Sequence, residues 1–298
     1  MRRKEKGLAG RVVRTRGRRV VVADADGERT CFLSGQRAVV GDDVLWVPAR
    51  GEGGKIIDVL KRRTVLKRVG PQGREQVLAA NLQGLLVVAA AQNPPFRAGL
   101  VDRYCVAAGV SGLELAVVLN KCDLGVEEQT RAEITLRQEA GVRSLEVSAH
   151  TGQGLDELRA FLRGSEAPWA LVGHSGVGKT SLVGALLPEQ DVGEIGDISE
   201  YWGTGQHTTT GSRIFGLPHG GEIMDSPGIR TFAPGGIGAE DVRRHFPGLQ
   251  RLQCQYRDCL HRPGEEGCVA EDEAGPELVK SYRRLLAELQ QISQRRRR

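Results

Sequence analysis

The chain has 298 residues, 40% of them hydrophobic and 27% charged, a composition typical of a soluble globular protein with room for two or three domains. Its longest apolar run, residues 85–91, is far shorter than the ~20 residues of a membrane helix, and no apolar segment follows the basic start, so we expect neither a membrane protein nor a signal peptide. Only 4% of residues are aromatic, which argues against a single-strand binder dominated by base stacking. A cytoplasmic protein is expected.

Positive charge is concentrated in the first quarter of the chain. Residues 1–74 contain 19 lysines and arginines against 8 acidic residues, a net charge of +11, whereas the whole chain carries only +5. The remainder is therefore acidic, with a net charge of −6. This asymmetry predicts a polyanion-binding module beside a domain with another task, and a solvated basic surface without a partner is the alternative.

Residues 8–60 predict a small β-barrel. Turn signals such as Asp26-Gly27 and Gly41-Asp42 separate short apolar or β-branched runs. The predicted strands cover residues 12–13, 19–22, 30–33, 39–40, 44–47 and 56–59. Five or six short strands in about sixty residues are typical of a barrel, and a basic barrel before a nucleotide domain favours an RNA-binding OB-fold. An SH3-like or purely structural barrel is the alternative.

From about residue 75 the pattern changes to alternating strands and helices. Strands are predicted over residues 85–90, 115–119, 145–147, 170–172 and 221–225, and helices over residues 100–108, 126–140, 155–162 and 179–187. This alternation predicts a mostly parallel sheet with helices on both faces. Beyond Pro234 no strand is predicted, and a helix with an apolar packing stripe begins at Pro276.

A phosphate-binding loop is predicted between a strand and a helix. Residues 173–180, Gly-His-Ser-Gly-Val-Gly-Lys-Thr, match G-x-x-x-x-G-K-[ST] in the context that this motif requires. Backbone N–H groups and the helix N-terminus would surround the α- and β-phosphates. Lys179 would reach the β- and γ-phosphates, and the Thr180 hydroxyl would bind Mg²⁺. The predicted phosphate-loop contacts are Gly173, His174, Ser175, Gly176, Val177, Gly178, Lys179, Thr180 and Ser181.

Two further loops predict guanine recognition. In Asn-Lys-Cys-Asp, residues 120–123, the Asp123 carboxylate would accept hydrogen bonds from guanine N1–H and the 2-amino group, a pairing that adenine does not offer. Asn120 would brace the loop, and the Lys121 stem would lie over the base. Alone, this tetrapeptide is equally typical of a helix cap, but a Ser-Ala-His sequence ends the next strand, where a backbone N–H can bond guanine O6. The predicted guanine contacts are Asn120, Lys121, Cys122, Asp123, Ser148 and Ala149.

The γ-phosphate and Mg²⁺ have their own predicted contacts. Asp225 ends a strand and begins Asp-Ser-Pro-Gly, so its carboxylate would hold Mg²⁺ through water and the Gly228 N–H would meet the γ-phosphate. A polar, glycine-rich segment with three threonines precedes it. There, Thr209 and Thr210 would close over the γ-phosphate, and Thr209 would join Thr180 and Asp225 around Mg²⁺. Without the neighbouring motifs, three threonines would indicate an edge strand.

A metal site is predicted near the C-terminus. Cys254, Cys259, His261 and Cys268 lie within a polar stretch of fifteen residues. Three thiolates and one imidazole satisfy tetrahedral Zn²⁺ and leave no position open for water, so the site should be structural. An iron–sulfur centre is the lesser alternative, and three buried free cysteines do not suit so polar a loop.

Together these motifs resemble the ribosome small-subunit-dependent GTPase A family over essentially the whole chain. The guanine loops precede the phosphate loop, which is a circular permutation of the usual GTPase order, with a barrel in front and Cys-x4-Cys-x-His-x6-Cys behind. The resemblance implies an OB-fold RNA-binding domain over residues 1–68, a circularly permuted α/β P-loop GTPase domain over 72–234, and a mostly helical zinc-binding domain over 235–298.

The same resemblance implies a monomeric GTP hydrolase that binds GTP and GDP, the 30S ribosomal subunit and 16S rRNA. It would act late in small-subunit maturation, hydrolyse GTP when stimulated by the subunit, and then dissociate. One structural Zn²⁺ per chain and Mg²⁺ with GTP are the implied cofactors. A GTP-regulated RNA-binding module and a translation factor with little hydrolysis of its own are the alternatives.

The expected catalytic set is incomplete in one respect. Ile229 stands where Ras-like GTPases place the glutamine that positions water, and an apolar side chain does not orient water. Slow hydrolysis is therefore expected until another group is supplied. His207 is the best candidate in the sequence, acting with Lys179 and Thr180, and an rRNA group is the alternative.

Overall fold

The computed structural model describes residues 7–16, 19–33, 35, 37–49, 53–69, 75–187, 212–225 and 237–296. Its strands are β1 (Leu8–Arg16), β2 (Arg19–Asp24), β3 (Gly27–Leu33), β4 (Asp43–Pro48), β5 (Gly54–Val59), β6 (Val65–Val69), β7 (Glu75–Ala80), β8 (Gly84–Ala90), β9 (Glu114–Asn120), β10 (Arg143–Glu146), β11 (Trp169–Val172), β12 (Arg213–Gly216) and β13 (Glu222–Asp225). Its helices are α1 (Ala98–Val110), α2 (Glu128–Glu139), α3 (Leu155–Arg163), α4 (Lys179–Leu186), α5 (Ala239–His245), α6 (Ala270–Ala274) and α7 (Pro276–Arg296). None of these helices has the length and apolar composition of a membrane span.

The first five strands close into the predicted barrel. They pair in the order β1-β2-β3-β5-β4, and β4 pairs back onto β1, so the small sheet has no open edge. Alternate side chains point inward, as the period of two in a strand requires. The barrel core consists of Val12, Val20, Val22, Cys31, Val44, Trp46 and Ile56. The closed, OB-like barrel is confirmed.

One strand predicted in this region is wrong. Among the described residues, Val40 makes only a single bridge, with Ala79, instead of a strand. The reason is local: the Val39 N–H donates to the buried Asp42 carboxylate at 2.8 Å, so it does not pair with a neighbouring strand. Asp42 in turn accepts two hydrogen bonds from the Arg62 guanidinium, at 2.7 and 2.8 Å.

The second half of the sheet confirms the predicted α/β layer. Its order is β10-β9-β8-β11-β13-β12, in which the first five strands are parallel and β12 runs antiparallel to β13. Successive residues of β8 enter two different cores: Leu85 and Val87 pack on one face, and Leu86 and Val88 on the other. Because helices cover both faces, the strands carry continuous apolar runs.

Two sets of strands were not predicted. β12 has only four residues, too few for a periodic signal, and β6 and β7 form a separate antiparallel hairpin. The outward side chains of the hairpin are charged or polar, including the ion pair between Lys67 and Glu75, so the segment resembles a solvated loop in sequence. This hairpin spans the predicted boundary between the first domain, residues 1–68, and the second domain, residues 72–234.

The barrel and the α/β layer share one continuous sheet. Arg14 of β1 pairs with Arg213 of β12, the Thr15 N–H donates to the Ser212 carbonyl at 3.0 Å, and Arg11 forms an ion pair with Glu222. A second contact is made by buried Asn81, whose side chain donates to the Gly41 carbonyl at 2.9 Å. The barrel is therefore joined to the strands that border the predicted γ-phosphate segments.

Beyond Asp225, the described part of the chain has no strand, as predicted. Helices α5 and α7 pack against α1 through a third apolar core that contains Val106, Val242, Phe246, Leu249, Leu278, Tyr282, Leu285 and Leu286. Beside it lies a buried polar cluster. Arg137 donates to both carboxylate oxygens of Asp102 at 2.9 and 2.8 Å, and the Ser281 hydroxyl donates to the same carboxylate at 2.5 Å. The C-terminal helices are thus attached to the α/β layer by apolar and ionic contacts.

Candidate nucleotide and metal sites

The predicted phosphate loop lies between β11 and α4. Gly173 and Gly178 have φ angles of 142° and 89°, which an L side chain rarely adopts. A Cβ atom on Gly173 would overlap the Val88 carbonyl, and one on Gly178 would overlap the Asn120 amide. Glycine is therefore required at both ends of the loop, because the backbone passes so close to its neighbours.

Lys179 and the residues beside it occupy the positions expected of a phosphate site. The Lys179 side chain is buried, and its ammonium group donates to the Gly173 and His174 carbonyls at 2.8 and 2.7 Å. Thr180 and Ser181, in the first turn of α4, are exposed. The cation is thus held inside the curve of the loop, and both hydroxyl-bearing residues lie at the helix N-terminus, where anions and Mg²⁺-bound phosphates are favoured.

Asn120 joins three loops. It is buried, its Nδ2 donates to the Val177 carbonyl at 3.0 Å, and its Oδ1 accepts the Ala149 N–H at 3.0 Å. The sequence predicts that a backbone N–H in the Ser-Ala-His sequence bonds guanine O6, and in this structure the Ala149 N–H donates to Asn120. The neighbouring Lys121, at a left-handed φ of 65°, donates to the Gly176 carbonyl at 2.7 Å. Side chains from one strand end thus connect the phosphate loop with both predicted guanine loops.

The other predicted guanine residues lie around this junction. Asp123 is exposed in a 3₁₀ turn over Cys122–Leu124. The buried Ser148 hydroxyl accepts the N–H groups of His150 and Thr151 at 3.2 and 3.1 Å, which fixes the turn after β10. The Cys122 thiol donates to the Leu119 carbonyl, and burial raises the pKa of Cys122 to about 11, so the thiol stays protonated and supports the loop.

Besides Thr180, Asp225 is the described member of the predicted Mg²⁺ and γ-phosphate group. It is buried at the end of β13, whose Met224 pairs with Ala170 of β11. Because the two strands are parallel, the ends of β11 and β13, and hence Asp225 and the phosphate loop, lie at the same edge of the sheet. His207, Thr209, Thr210, Gly228 and Ile229 lie outside the described residues.

The four predicted zinc ligands are assembled into one cluster. Their ligand atoms all lie within 4.8 Å of one another, and His261 Nδ1 is 3.5 Å from the sulfur of each cysteine. A tetrahedral Zn²⁺ ion with Zn–S bonds of about 2.3 Å and a Zn–N bond of about 2.0–2.1 Å requires a sulfur–nitrogen separation of about 3.5 Å. The donor set and its spacing therefore fit zinc.

The cluster is supported by surrounding hydrogen bonds. Arg283 donates to the His261 carbonyl at 2.7 Å, and the Glu265 carboxylate accepts the Leu260 and Arg262 N–H groups. Burial raises the pKa of Cys259 to about 12 and lowers that of His261. Without a cation the thiol would be protonated and the imidazole neutral, whereas a bound Zn²⁺ ion would stabilise the thiolate and still accept the neutral imidazole.

Sequence reasoning missed the contacts that residues 91–93 make with the guanine loop. This segment follows β8, and the ends of parallel strands meet at one edge of the sheet. Polar residues directly after β8 were therefore a usable signal, although the partners lie 28 to 33 positions away in sequence.

Comparisons with known proteins agree with the fold and with the order of the motifs. A family model described as RsgA GTPase matches residues 59–234. The small ribosomal subunit biogenesis GTPase RsgA of Azotobacter vinelandii is 40% identical over 94% of this chain and 85% of its own length. The protein of the same name from Pseudomonas fluorescens is 38% identical over the same shares.

Solved structures add the fold of the whole chain. YjeQ from Thermotoga maritima matches with a TM-score of 0.75 at 27% identity, covering 94% of this chain and 98% of that one. YloQ, a circularly permuted GTPase, matches with a TM-score of 0.73 at 18% identity over 98% of both chains, which is a likeness of fold. The family model covers more than half of this sequence, and relatives about 40% identical extend over nearly all of it. The chain therefore belongs to the RsgA GTPase family.

Proposed function

We propose that this protein is a GTP hydrolase that binds the small ribosomal subunit and acts in its maturation. The observation that supports this most is the junction at Asn120, which joins the predicted phosphate loop to the predicted guanine loops. The chain's relatives are named small ribosomal subunit biogenesis GTPases. Lys179, Thr180 and Asp225 supply the cation, hydroxyl and carboxylate that phosphoryl transfer requires at one edge of the sheet.

GTP and GDP would bind along this edge. Asp123 would pair with guanine. A backbone N–H in the Ser148–Ala149 turn would leave its present acceptor, Gln153 or Asn120, and turn to O6. The phosphates would occupy the loop and take over the Lys179 ammonium from the carbonyls of Gly173 and His174. Mg²⁺, held by Thr180, Thr209 and Asp225, would neutralise charge that develops on the β- and γ-phosphates.

Rapid hydrolysis would depend on a water-positioning group that is brought into place when the subunit binds. Ile229 does not position water, so His207 or a group of the rRNA would take that role when the subunit is bound. Slow turnover in isolation would keep the GTP state long enough for docking. The cysteine and histidine cluster would hold one structural Zn²⁺ and stabilise the C-terminal domain.

The 16S rRNA would contact the outer face of the barrel. Across three strands, Arg19 pairs with Phe32 and Phe32 pairs with Lys55, so the three side chains stand side by side. Phe32 is 48% exposed, and the Arg19 guanidinium lies 5.6 Å from the centre of its ring. One aromatic face between two cations suits an unpaired base flanked by phosphates.

The protein would act as a monomer, in the cytoplasm where ribosomal subunits assemble. Co-sedimentation with purified 30S, 50S and 70S particles tests the proposal. In the presence of a non-hydrolysable GTP analogue, the protein should sediment with 30S particles, and with GDP it should remain at the top of the gradient. Equal binding to all three particles in both nucleotide states would contradict it.

A further inference from the structure

The segment between β8 and α1 contacts the guanine loop through its backbone. The Ala91 N–H donates to the Asn120 carbonyl at 2.8 Å, and the Asn93 carbonyl accepts a hydrogen bond from the Lys121 ammonium group. These two contacts hold the beginning of the loop. Residues 91 and 93 contribute only backbone atoms to these contacts, so both contacts are independent of the side chain at position 92.

Gln92 holds the other end of the same loop through its side chain. Its Nε2 donates to the Leu124 carbonyl at 3.0 Å and to the Gly125 carbonyl at 3.2 Å. A primary amide has two hydrogens, so one side chain can make both bonds. Leu124 and Gly125 directly follow Asp123 and close its 3₁₀ turn, since their N–H groups donate to the Lys121 and Cys122 carbonyls.

We propose that Gln92 is a positioning residue for guanine recognition. By tying the end of the turn to the rigid end of β8, it aligns the Asp123 carboxylate for the two hydrogen-bond donors of the base before the nucleotide arrives. A ligand gains affinity when the groups that meet it are already ordered, because less conformational entropy is lost on binding. This inference rests on the proposed function, in which Asp123 recognises guanine.

Loss of the Gln92 amide should weaken GTP binding more than ITP binding. Gln92→Leu removes the donor and keeps most of the side-chain volume, so the turn should lose its tether while Asn120 and Lys121 keep theirs. Inosine lacks the 2-amino group of guanine and therefore makes one bond fewer with Asp123. The Kd for GTP should rise about fivefold to tenfold. The logarithm of the Kd for ITP should rise by about half as much as that for GTP. The kcat measured on 30S particles at saturating GTP should stay unchanged.

Gln83 offers a matched control. It lies at the opposite end of β8 and is exposed to a similar degree, and its side-chain amide donates one hydrogen bond, to the Glu114 carboxylate. Gln83→Leu should leave both nucleotide affinities unaltered. Gln92→Asn, whose amide is too short to reach both carbonyls, should repeat the effect of Gln92→Leu if the leucine variant folds poorly.

A double-mutant cycle gives the sharpest test. If Gln92 acts through Asp123, then Gln92→Leu added to Asp123→Ala should weaken GTP binding no further. Additive losses, equal losses for GTP and ITP, or no loss in either Gln92 variant would overturn the inference while leaving the proposed function intact. A wild-type protein that binds GTP and ATP equally well would instead overturn the proposed function.

Discussion

At the scale of single residues, the predicted nucleotide site depends on groups that meet around Asn120. Its amide bonds both the Val177 carbonyl and the Ala149 N–H, and its Nδ2 occupies the space that a Cβ on Gly178 would need. The predicted phosphate loop and the predicted guanine loop are therefore held to each other. In the proposed site, recognition of the base would in this way be connected to the geometry of the phosphates.

Exchange of one carboxylate for an amide should change which base is accepted. In Asp123→Asn, an NH2 donor replaces one of the two carboxylate oxygens that would accept guanine N1–H and the 2-amino group, so GTP affinity should fall by about 1–3 kcal/mol for the lost bond. The new amide can donate to the 2-oxo group of xanthine, so XTP should bind the variant better than the wild type. Competition binding with GTP, XTP and ATP measures this.

The control for this exchange is Asp156→Asn. Asp156 is an almost fully exposed residue of α3 whose carboxylate pairs with Arg159 at the surface. Its replacement should leave all three affinities in place. Unaltered base preference in Asp123→Asn would remove Asp123 from the site.

At the scale of secondary-structure elements, a buried cluster fastens three helices. Arg137 of α2 is fully buried, and it pairs with Asp102 of α1, which also accepts the Ser281 hydroxyl of α7. Two of these partners lie 35 and 144 positions from Arg137 in sequence. The cluster attaches the C-terminal helix α7 to α1 and α2 of the α/β layer, and α2 is the helix that follows the predicted guanine loop.

Removal of the arginine alone should be costly. Arg137→Leu leaves the Asp102 carboxylate buried without its cation, so the free energy of unfolding should fall by about 3–5 kcal/mol. The control is Arg131→Leu in the same helix, where the ion pair with Glu146 is exposed and worth at most about 1 kcal/mol. Urea unfolding of both variants measures the difference, and a similar small loss in each would contradict this role of the cluster.

Zinc removal should act on the C-terminal domain. The four ligands fit a tetrahedral ion, and structural zinc sites contribute apparent free energies of ~10–16 kcal/mol to folding. Chelation should therefore unfold residues from about 236 onward, seen as faster hydrogen exchange in α5 and in the cysteine loop, while GTP binding largely survives. Added Zn²⁺ should restore protection and added Mg²⁺ should not. A folded, active preparation that contains no metal would refute the assignment.

Much of the fold and of the candidate site was predictable from the sequence. The features that were not predictable share physical causes. Apolar runs predicted β8, β9 and β11, and the motifs at the ends of these strands were expected to meet at one edge of the parallel sheet. The short strand β12 and the polar hairpin β6–β7 carry no such periodicity. The tether from Gln92 and the Asp102–Arg137 pair depend on tertiary contacts between distant positions, which a residue pattern does not encode.

At the scale of the whole molecule, the barrel and the predicted nucleotide site belong to one sheet. β12 and β13 lie between two segments with predicted γ-phosphate contacts, residues 188–211 and 226–236, and β12 is paired with β1 of the barrel. Backbone hydrogen bonds therefore lead from the barrel to the border of the phosphate site. RNA bound on the barrel and nucleotide bound at the sheet edge would act on the same pair of strands.

Arg19, Phe32 and Lys55, which stand side by side on the outer face of the barrel, should contribute to 30S binding by base stacking and by phosphate contacts. Phe32→Ala should weaken 30S binding by about 1–3 kcal/mol without changing its salt dependence, because stacking releases no counterions. Lys55→Ala should lower the slope of log K against log salt by about 1. Tyr256→Ala, a similarly exposed aromatic in the C-terminal region, is the control and should leave the affinity unchanged. Salt-independent docking of the wild type would place the RNA contact elsewhere.

The most direct test of the account is single-turnover hydrolysis of GTP with no particle, with 30S subunits and with 50S subunits. We expect slow hydrolysis by the free protein, because Ile229 does not position water. With 30S subunits we expect acceleration in the range of about 10²–10⁴ that a positioned acid–base group supplies. With 50S subunits the rate should remain that of the free protein. The same rate in all three samples, or equal acceleration by both subunits, would contradict a GTPase whose catalysis is completed by the small ribosomal subunit.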